Sequence, residues 1–463
     1  MRRILWQLGN LTDGEYRRWR KYIRRFCRLS PEQAQTEIAR RLHRYLHYCR
    51  EYSSYWRERW PAGAAEFGVC EAEDVLKELP VLSKVDLHEH LDEIRIRPEQ
   101  RRSNDGYPPI GKQSTITSGG STGIPTTVWT DSLAASRNRA SYDYLYELSG
   151  MAPGEKAFFI WGSSNELRDM RKSFRKRAAT WLRGLYTIPA FGLTPGKIEH
   201  LVAAMRTHPR IRSAKCYTTA AETLCGYAEA HGGFDCPKLD RILTGGGLLH
   251  DQLRQLLLKH LANEVYDTYA GRDIGMLAHE TPGHDGLSLI EWLNRVEVLD
   301  RLGRHVPDAG QGEVHVTQMH NFSCALIRYS TGDTACWHAN PGGNLIPTSR
   351  VSELRGRTGE HLVGPQGVVI DPIAIIHVIG VVVNPDWLKK FQLVQKALDR
   401  FELRCESWRE ELTEHELAAF KQRVCSELGS VAGVEQLNVN VRIVSEIPPL
   451  PSGKHLYCKE ELE

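Results

Sequence analysis

The sequence predicts an α/β fold in two unequal parts, and three features predict it. Residues 1–95 repeat apolar positions every three or four residues with few breakers, the period of amphipathic helix. From Gly106, short β-type runs such as "AFFIW" (157–161) and "GVVI" (367–370) alternate with helix-type runs such as "KIEHLVAAMR" and "DQLRQLLLKHLANEV". Glycines and charges then interrupt the pattern in "LRGRTGEHLVGPQG" (354–367), and the stretch to Glu463 carries its own strands and helices, among them "WREELTEHELAAFKQRVCSEL". The expected organisation is a large N-terminal domain of mixed β-sheets flanked by helices, with a helical region over 1–95 and a binding core over 96–356. A small, mobile α+β domain over 357–463 follows, with the hinge near 357–361.

Composition narrows the function. The chain has 463 residues, 41% of them hydrophobic and 25% charged, which suits folded domains rather than disorder. Lys and Arg number 60 against 57 Asp and Glu, a balance that argues against nucleic acid as a partner. Eleven cysteines stand at irregular spacing with no C-x-x-C, the expectation for reduced thiols in a cytoplasmic protein. Cys336 and His338 in "CWHANPGG" lack a second pair and do not make a zinc site. No apolar run reaches the length of a membrane span. The basic stretch Arg168–Arg183 reads as a solvated helix face, with an anionic surface or polymer as the alternative.

The chemistry begins at "TSGGSTGIP" (117–125). Its core fits G-x-S-x-G, which would make Ser121 a hydrolase nucleophile, but such a serine sits on a turn from strand into helix. Here "QSTIT" precedes the loop, while Pro125 and "TTVWT" follow it, and all of these favour extended chain. Strand–loop–strand suits an anion cradle better: the glycines let N–H groups turn inward, and Ser118, Ser121 and Thr122 add hydroxyls. "GYPPIGKQ" places Gly106, Gly111 and Lys112 at Walker spacing, but Gln113 stands in place of the Ser/Thr and two prolines remove donors.

Four further segments follow in order. "YAGRDIG" joins an aromatic, a flexible pair and a carboxylate; "IRYSTGD" ends an apolar segment in Thr-Gly-Asp, an aspartate that suits ribose hydroxyls. "RGRTGE" puts Arg357 at the joint, and "PPLPSGKHLY" holds Lys454 in a proline-rich loop near the end.

This ordered set resembles the adenylate-forming superfamily of acyl-CoA synthetases, peptide-synthetase adenylation domains and luciferases. Within it the chain is most similar to the phenylacetate–CoA ligase family, especially its capsular-polysaccharide-associated branch, which carries "T-x-G-G-S-T-G-x-P", a "Y-G-S-R-E"-like motif, "R-Y-x-T-G-D" and "G-R-T-x-D". The resemblance spans residues 75–463 and implies the adenylate-forming fold, with ATP and Mg²⁺ as cofactors. It also implies activation of a carboxylic acid, by family analogy an aromatic or small one, as acyl-AMP. Transfer would follow to a thiol, on coenzyme A or the pantetheine of an acyl carrier protein, or to an amine.

By that resemblance Thr117, Ser118, Gly119, Gly120, Ser121, Thr122 and Gly123 would hold the β- and γ-phosphates. Gly246 and Gly247 of "GGGLL" would let adenine approach the backbone, Tyr269 would stack near it, and Asp333 would bind the ribose. Arg357 would contact the nucleotide, Glu360 would take the hinge position, Asp273 would serve Mg²⁺, and Lys454 would bridge the attacking carboxylate and the α-phosphate.

Several residues depart from the family pattern. Ala270-Gly271 replaces Gly-Ser/Thr, Asp273 and Glu360 replace Glu and Asp, and Cys336 is the one cysteine left where relatives have a Cys-rich segment. For the acyl pocket the sequence offers only Trp161, Tyr217 and Thr218, aromatic and polar residues that also suit plain core. The alternatives are adenylyl transfer or activation of another oxyanion without acyl-CoA, and a nucleotide-binding partner in polysaccharide assembly. The oligomeric state stays open, a homodimer among the options.

Overall fold

The computed structural model describes residues 12–461 except 65, 119–125, 163–173, 192, 301, 341, 343, 356–361, 366, 371 and 449–455. The predicted phosphate-loop residues Gly119 to Gly123, the hinge residues Arg357 and Glu360, the lysine Lys454 and residues 168–173 of the basic stretch therefore lie outside the described residues, while the rest of that stretch, Phe174–Arg183, is helix.

The N-terminal helices Gly14–Phe26 and Pro31–Tyr52 form where the sequence periodicity places them. The second starts on a capping box, in which the Ser30 hydroxyl accepts from the Gln33 N–H and the Gln33 side chain returns to the Ser30 N–H. Their buried faces, with Phe26, Ile38, Tyr45 and Trp56 of the next helix, pack onto Trp292, Leu326 and Tyr329.

The chain then makes a hairpin. Strand β1 (Gln113–Ser118) pairs antiparallel with β2 (Thr126–Asp131), in register from Gln113↔Asp131 to Ser118↔Thr126. Strands thus flank residues 119–125 on both sides, and the next described helix, Ser132–Leu148, starts only after β2, capped by Asp131.

Next come β3 (Ala157–Ile160), β4 (Leu185–Ile188), β5 (Ser213–Tyr217), β6 (Leu239–Gly245) and β7 (Ala262–Tyr266). They form an all-parallel sheet in the order β4-β3-β5-β6-β7, and a helix follows each of β3 to β6 as parallel pairing requires. The helix expected over the whole of "DQLRQLLLKHLANEV" ends at His260, and its last residues become β7. Tertiary pairing decides this: Ala262, Val265 and Tyr266 are buried beside β6, where the ladder satisfies their backbone. Likewise the helix expected from Trp408 starts only at Glu414, on a Thr413–Glu416 capping box.

Seven antiparallel strands follow: β8 (Thr268–Gly271), β9 (Gly275–Glu280), β10 (Leu287–Leu289), β11 (Arg295–Leu299), β12 (Gln311–Thr317), β13 (Tyr329–His338) and β14 (Arg350–Arg355). Their order is β11-β12-β13-β14-β10-β9-β8, which leaves β8 at an edge against the end of β6. After the short pair β15 (Leu362–Val363) and β16 (Val369–Ile370), a four-stranded sheet closes the chain. It is built from β17 (Leu388–Ala397), β18 (Arg400–Ser407), β19 (Asn438–Ile443) and β20 (Cys458–Glu460), in the order β19-β18-β17-β20. Its core residues Phe391 and Phe401, with Val424 of the helix Glu414–Ala432, share one buried cluster with Phe158, Ile242 and Leu257 of the parallel-sheet layer. All eleven cysteines are free, and among the described residues no helix is long and apolar enough to cross a membrane.

One buried ion pair fastens the helix that walls the site. Arg137, on Ser132–Leu148, donates through Nε to Glu15 (2.5 Å) and through Nη1 to the His320 carbonyl (2.7 Å), with both side chains buried. Arg137→Ala strips Glu15 of its buried partner, leaves it only the exposed Arg18 (2.8 Å), and is expected to lower the unfolding free energy by about 3 kcal/mol. Urea denaturation checks this, and a loss below about 1 kcal/mol contradicts the fastening role.

Candidate active site

The site forms where β6 ends against β8. Gly245 lies so close to this edge strand that a Cβ there would meet the Thr268 carbonyl at 3.2 Å. Gly246 follows with φ +80°, and a Cβ there would stand 2.4 Å from the Tyr217 ring, so neither conformation nor space admits a side chain. Thr218, read from sequence as a pocket residue, instead donates its buried hydroxyl to the Gly247 carbonyl (3.3 Å) and steadies the glycine turn.

Gly246 and Gly247 line a cavity of about 160 Å³ together with Asp267, Tyr269, Asp333 and Arg355. Four residues assigned to the nucleotide from separate motifs are thus brought to one place. Tyr269 donates its phenol hydrogen to Asp333 Oδ2 at 2.8 Å, and burial and the Asp333 charge push that phenol well above its ordinary range.

The Thr-Gly-Asp segment, which closes an apolar run in the sequence, is not at the end of a strand. It lies inside β13, where the register jumps from Ser330↔His315 to Thr334↔Glu313. Thr331, Gly332 and Asp333 therefore bulge opposite Val314, with Gly332 at φ +79° and the Thr331 hydroxyl on the Val314 carbonyl. A bulge re-aims the side chains it carries, and here it turns Asp333 toward Tyr269.

Asp267 is a site residue that the motif reading missed. It is buried, and its Oδ1 accepts from the Thr268 N–H (2.9 Å) and the Thr244 hydroxyl (3.0 Å). Its own N–H donates to Glu280, which is held by two bonds from Arg254. Burial raises the Asp267 carboxyl to about 7, outweighing the two hydrogen bonds that favour the charged form. The sequence signal was available: an acid closes the apolar run "EVYD" two residues before Tyr269.

A second cavity, of about 370 Å³, meets the first at Gly246, Thr268 and Ala270. Trp161 and Tyr217, the two aromatic pocket candidates, line it with their rings stacked at 3.9 Å. Lys215 and Arg272, which sequence reasoning passed over, line it too, and both continue into a third cavity of about 410 Å³ that contains Asp273. Asp273 sits in the β8–β9 turn and accepts from the Tyr329 hydroxyl at 2.9 Å. Among the described residues no group of three or more His, Cys, Asp or Glu could hold a metal. A single carboxylate fits Mg²⁺ that is also held by phosphates, since that ion keeps several waters and takes one or two carboxylates. Cys336 and His338 are engaged by the Ala309 carbonyl and the Ser352 hydroxyl, away from any such role. Thr117, at the end of β1, exchanges a hydrogen bond with Thr127 across the hairpin (3.1 Å), and Ser118 is the last residue of that strand.

With this geometry the fold matches solved adenylate-forming ligases. The chain is similar to 2-hydroxyisobutyryl-CoA ligase in an open conformation with 2-HIB-AMP and CoA, at 18% identity, 92% coverage of each chain and a TM-score of 0.54. It is also similar to the same ligase in its postadenylation state with R3-HIB-AMP, at 18% identity, 94% coverage of this chain, 90% of that one and a TM-score of 0.55. No family model and no curated protein matches the sequence.

The Asp267 carboxyl yields a pH prediction. Its unfolded pKa is near the ordinary value of about 3.9, and the folded value is about 7. Between the two, the folded state binds more protons than the unfolded one, so stability falls as pH rises. Wild type should lose up to about 4 kcal/mol relative to Asp267→Asn between pH 4 and 8, measured by denaturation at each pH. A difference independent of pH contradicts the assignment.

Proposed function

We propose that this protein is an adenylate-forming ligase: it activates a carboxylic acid with ATP as acyl-AMP, releases pyrophosphate, and passes the acyl group to an acceptor. The observation that carries the reading is the meeting of Gly246, Gly247, Tyr269 and Asp333 in one cavity that borders a larger aromatic one. A nucleotide in the first cavity would set its α-phosphate at the junction, facing an acid in the second. The order of motifs from "TSGGSTGIP" to "PSGKHLY" supports the phenylacetate–CoA ligase-like subtype. A thiol, on coenzyme A or carrier-protein pantetheine, is the acceptor we favour, and an amine comes next.

Each residue has a chemical task in this reading. Asp333 accepts hydrogen bonds from the ribose hydroxyls, oriented by Tyr269. Gly246 and Gly247 admit the flat base against the backbone, and Asp267 offers a carboxyl oxygen to its edge. The loop 117–123 holds the leaving pyrophosphate with N–H and hydroxyl donors. Carboxylate attack on phosphorus brings two anions together, so positioning and charge neutralisation dominate the catalysis. Lys454 would supply a positive charge between them, and Asp273 is the residue for Mg²⁺, which would offset phosphate charge. With Lys454 on the C-terminal part, rotation near 357–361 would bring it in for adenylation and withdraw it for transfer.

ATP–pyrophosphate exchange over a panel of carboxylic acids tests the reading. Exchange should depend on particular acids, fall by about 10²–10³-fold in Lys454→Ala, and fall in Asp333→Ala through a weaker KM for ATP. Exchange that survives Lys454→Ala removes that residue from the mechanism, and acid-independent ATP turnover contradicts the ligase.

A further inference from the structure

Five consecutive residues join the three cavities. Tyr269 and Ala270 line the Asp333 cavity, Ala270, Gly271 and Arg272 line the aromatic one, and Arg272 and Asp273 line the third. Arg272 therefore stands where the aromatic cavity adjoins the one that contains Asp273.

The backbone that carries Arg272 is fixed. Gly271 pairs with Gly275 across the β8–β9 turn, and a Cβ on Gly271 would meet Ile274 at 2.6 Å. Gln318 donates to the Asp273 carbonyl (3.1 Å) and Tyr329 to the Asp273 carboxylate (2.9 Å). The side chain has no such anchor: among the described residues Arg272 takes part in no hydrogen bond, ion pair or ring contact.

The other charged groups of these two cavities are engaged. Asp143 accepts from the Tyr16 hydroxyl (2.9 Å) and feels the Lys215 charge. Glu155 accepts from the Ser213 hydroxyl (3.0 Å) and the Ala152 N–H (2.9 Å). Lys215 stands over the Tyr146 ring, Arg139 pairs with Asp13, and His377 lies against the Phe191 ring. An unpaired arginine on an outer surface is hydrated, but this one lines the walls of two cavities.

We propose that Arg272 is a catalytic residue of the adenylation step: its guanidinium holds the reacting carboxylate of the acid in the aromatic cavity and presents it to the α-phosphate. This rests on the ligase reading above and adds a residue to the same site. One carboxylate oxygen bonds the α-phosphorus through a lone pair, the bond from phosphorus to the pyrophosphate oxygen breaks, and pyrophosphate leaves with that electron pair. No proton moves, and the second carboxylate oxygen stays with Arg272. The planar fork of a guanidinium matches both oxygens of a carboxylate, so it fixes the plane of the group as well as its position. Placement favours the acid over the nucleotide, because Arg272 lines the aromatic cavity and not the Asp333 cavity.

Calorimetric titration of the full chain without ATP tests this with three acids and their neutral amides. Benzoate is compared with benzamide, phenylacetate with phenylacetamide, and hexanoate with hexanamide. Wild type should bind at least one acid tenfold or more tightly than its amide. Arg272→Met should abolish that preference and leave both amide and AMP affinity within about threefold. Arg272→Lys keeps the charge and not the fork, and should retain less than half of the preference. Since the side chain has no partner to lose, both variants should melt within about 2 °C of wild type.

A wild type that distinguishes no acid from its amide overturns the proposal, and so does a preference kept at the wild-type level in either variant. A larger loss for AMP than for the acid in Arg272→Met also overturns it, by placing the residue on the phosphate. Pyrophosphate exchange is read separately. Arg272→Met should lower kcat/KM for the acid tenfold or more and leave the KM for ATP unchanged. Exchange unaffected by Arg272→Met sinks the proposal alone. An Arg272-dependent acid preference with no exchange in wild type sinks the ligase reading and leaves the carboxylate site standing.

Discussion

The site depends on a single close approach: the end of β6 runs against the edge strand β8 and the Tyr217 ring with no side chain between them. Gly245 and Gly246 make this approach, since a Cβ on either would meet the Thr268 carbonyl or the tyrosine ring. Because the two sheets meet there, a parallel sheet that ends in a ligand cleft and an antiparallel sheet that carries a bulge face the same small volume. Ligands of open parallel sheets sit at the carboxyl ends of the strands, and Gly245 is the carboxyl end of β6. The glycine turn also divides the volume, with the Asp333 cavity on one side and the aromatic cavity on the other.

Around that junction the polar groups are held by buried partners, which pre-organises them for a ligand. Tyr269 bonds Asp333, Thr218 bonds the Gly247 carbonyl, and Arg254 fixes Glu280, which in turn receives the Asp267 N–H. Such networks are stable when their members are satisfied, and they leave little reorganisation for the moment of reaction. The aromatic cavity follows a different logic, with Lys215 set among rings where a charge is least expected.

Much of this was legible in the sequence because it is local. Residues that favour extended chain in "QSTIT" and "TTVWT" predict a strand on each side of the glycines, and β1 and β2 are those strands, paired as a hairpin. The helices of 1–95 follow their apolar period, and Tyr269, Asp333, Gly246 and Gly247 come from motifs that the fold gathers. What escaped the sequence is set by distant pairing. The run "LLLKHLANEV" is apolar enough for helix or strand, and only the neighbouring β6 makes its end a strand. The turn of Asp333 comes from a register jump against β12, which no local pattern encodes. Asp267 was legible as the acid that closes a short run before Tyr269, whereas Lys215 sits within an apolar run, where a lone charge gives no periodic signal.

Binding of AMP alone, without acid or metal, tests the nucleotide site most directly. Calorimetric titration of wild type and Gly246→Ala compares the two, with the folded state of the variant confirmed by circular dichroism. The added methyl would intrude on Tyr217 at the boundary of the Asp333 cavity. One saturable site in wild type, weakened tenfold or more in Gly246→Ala, is the predicted result. Equal affinity in the two proteins, or no binding to wild type, would contradict the account.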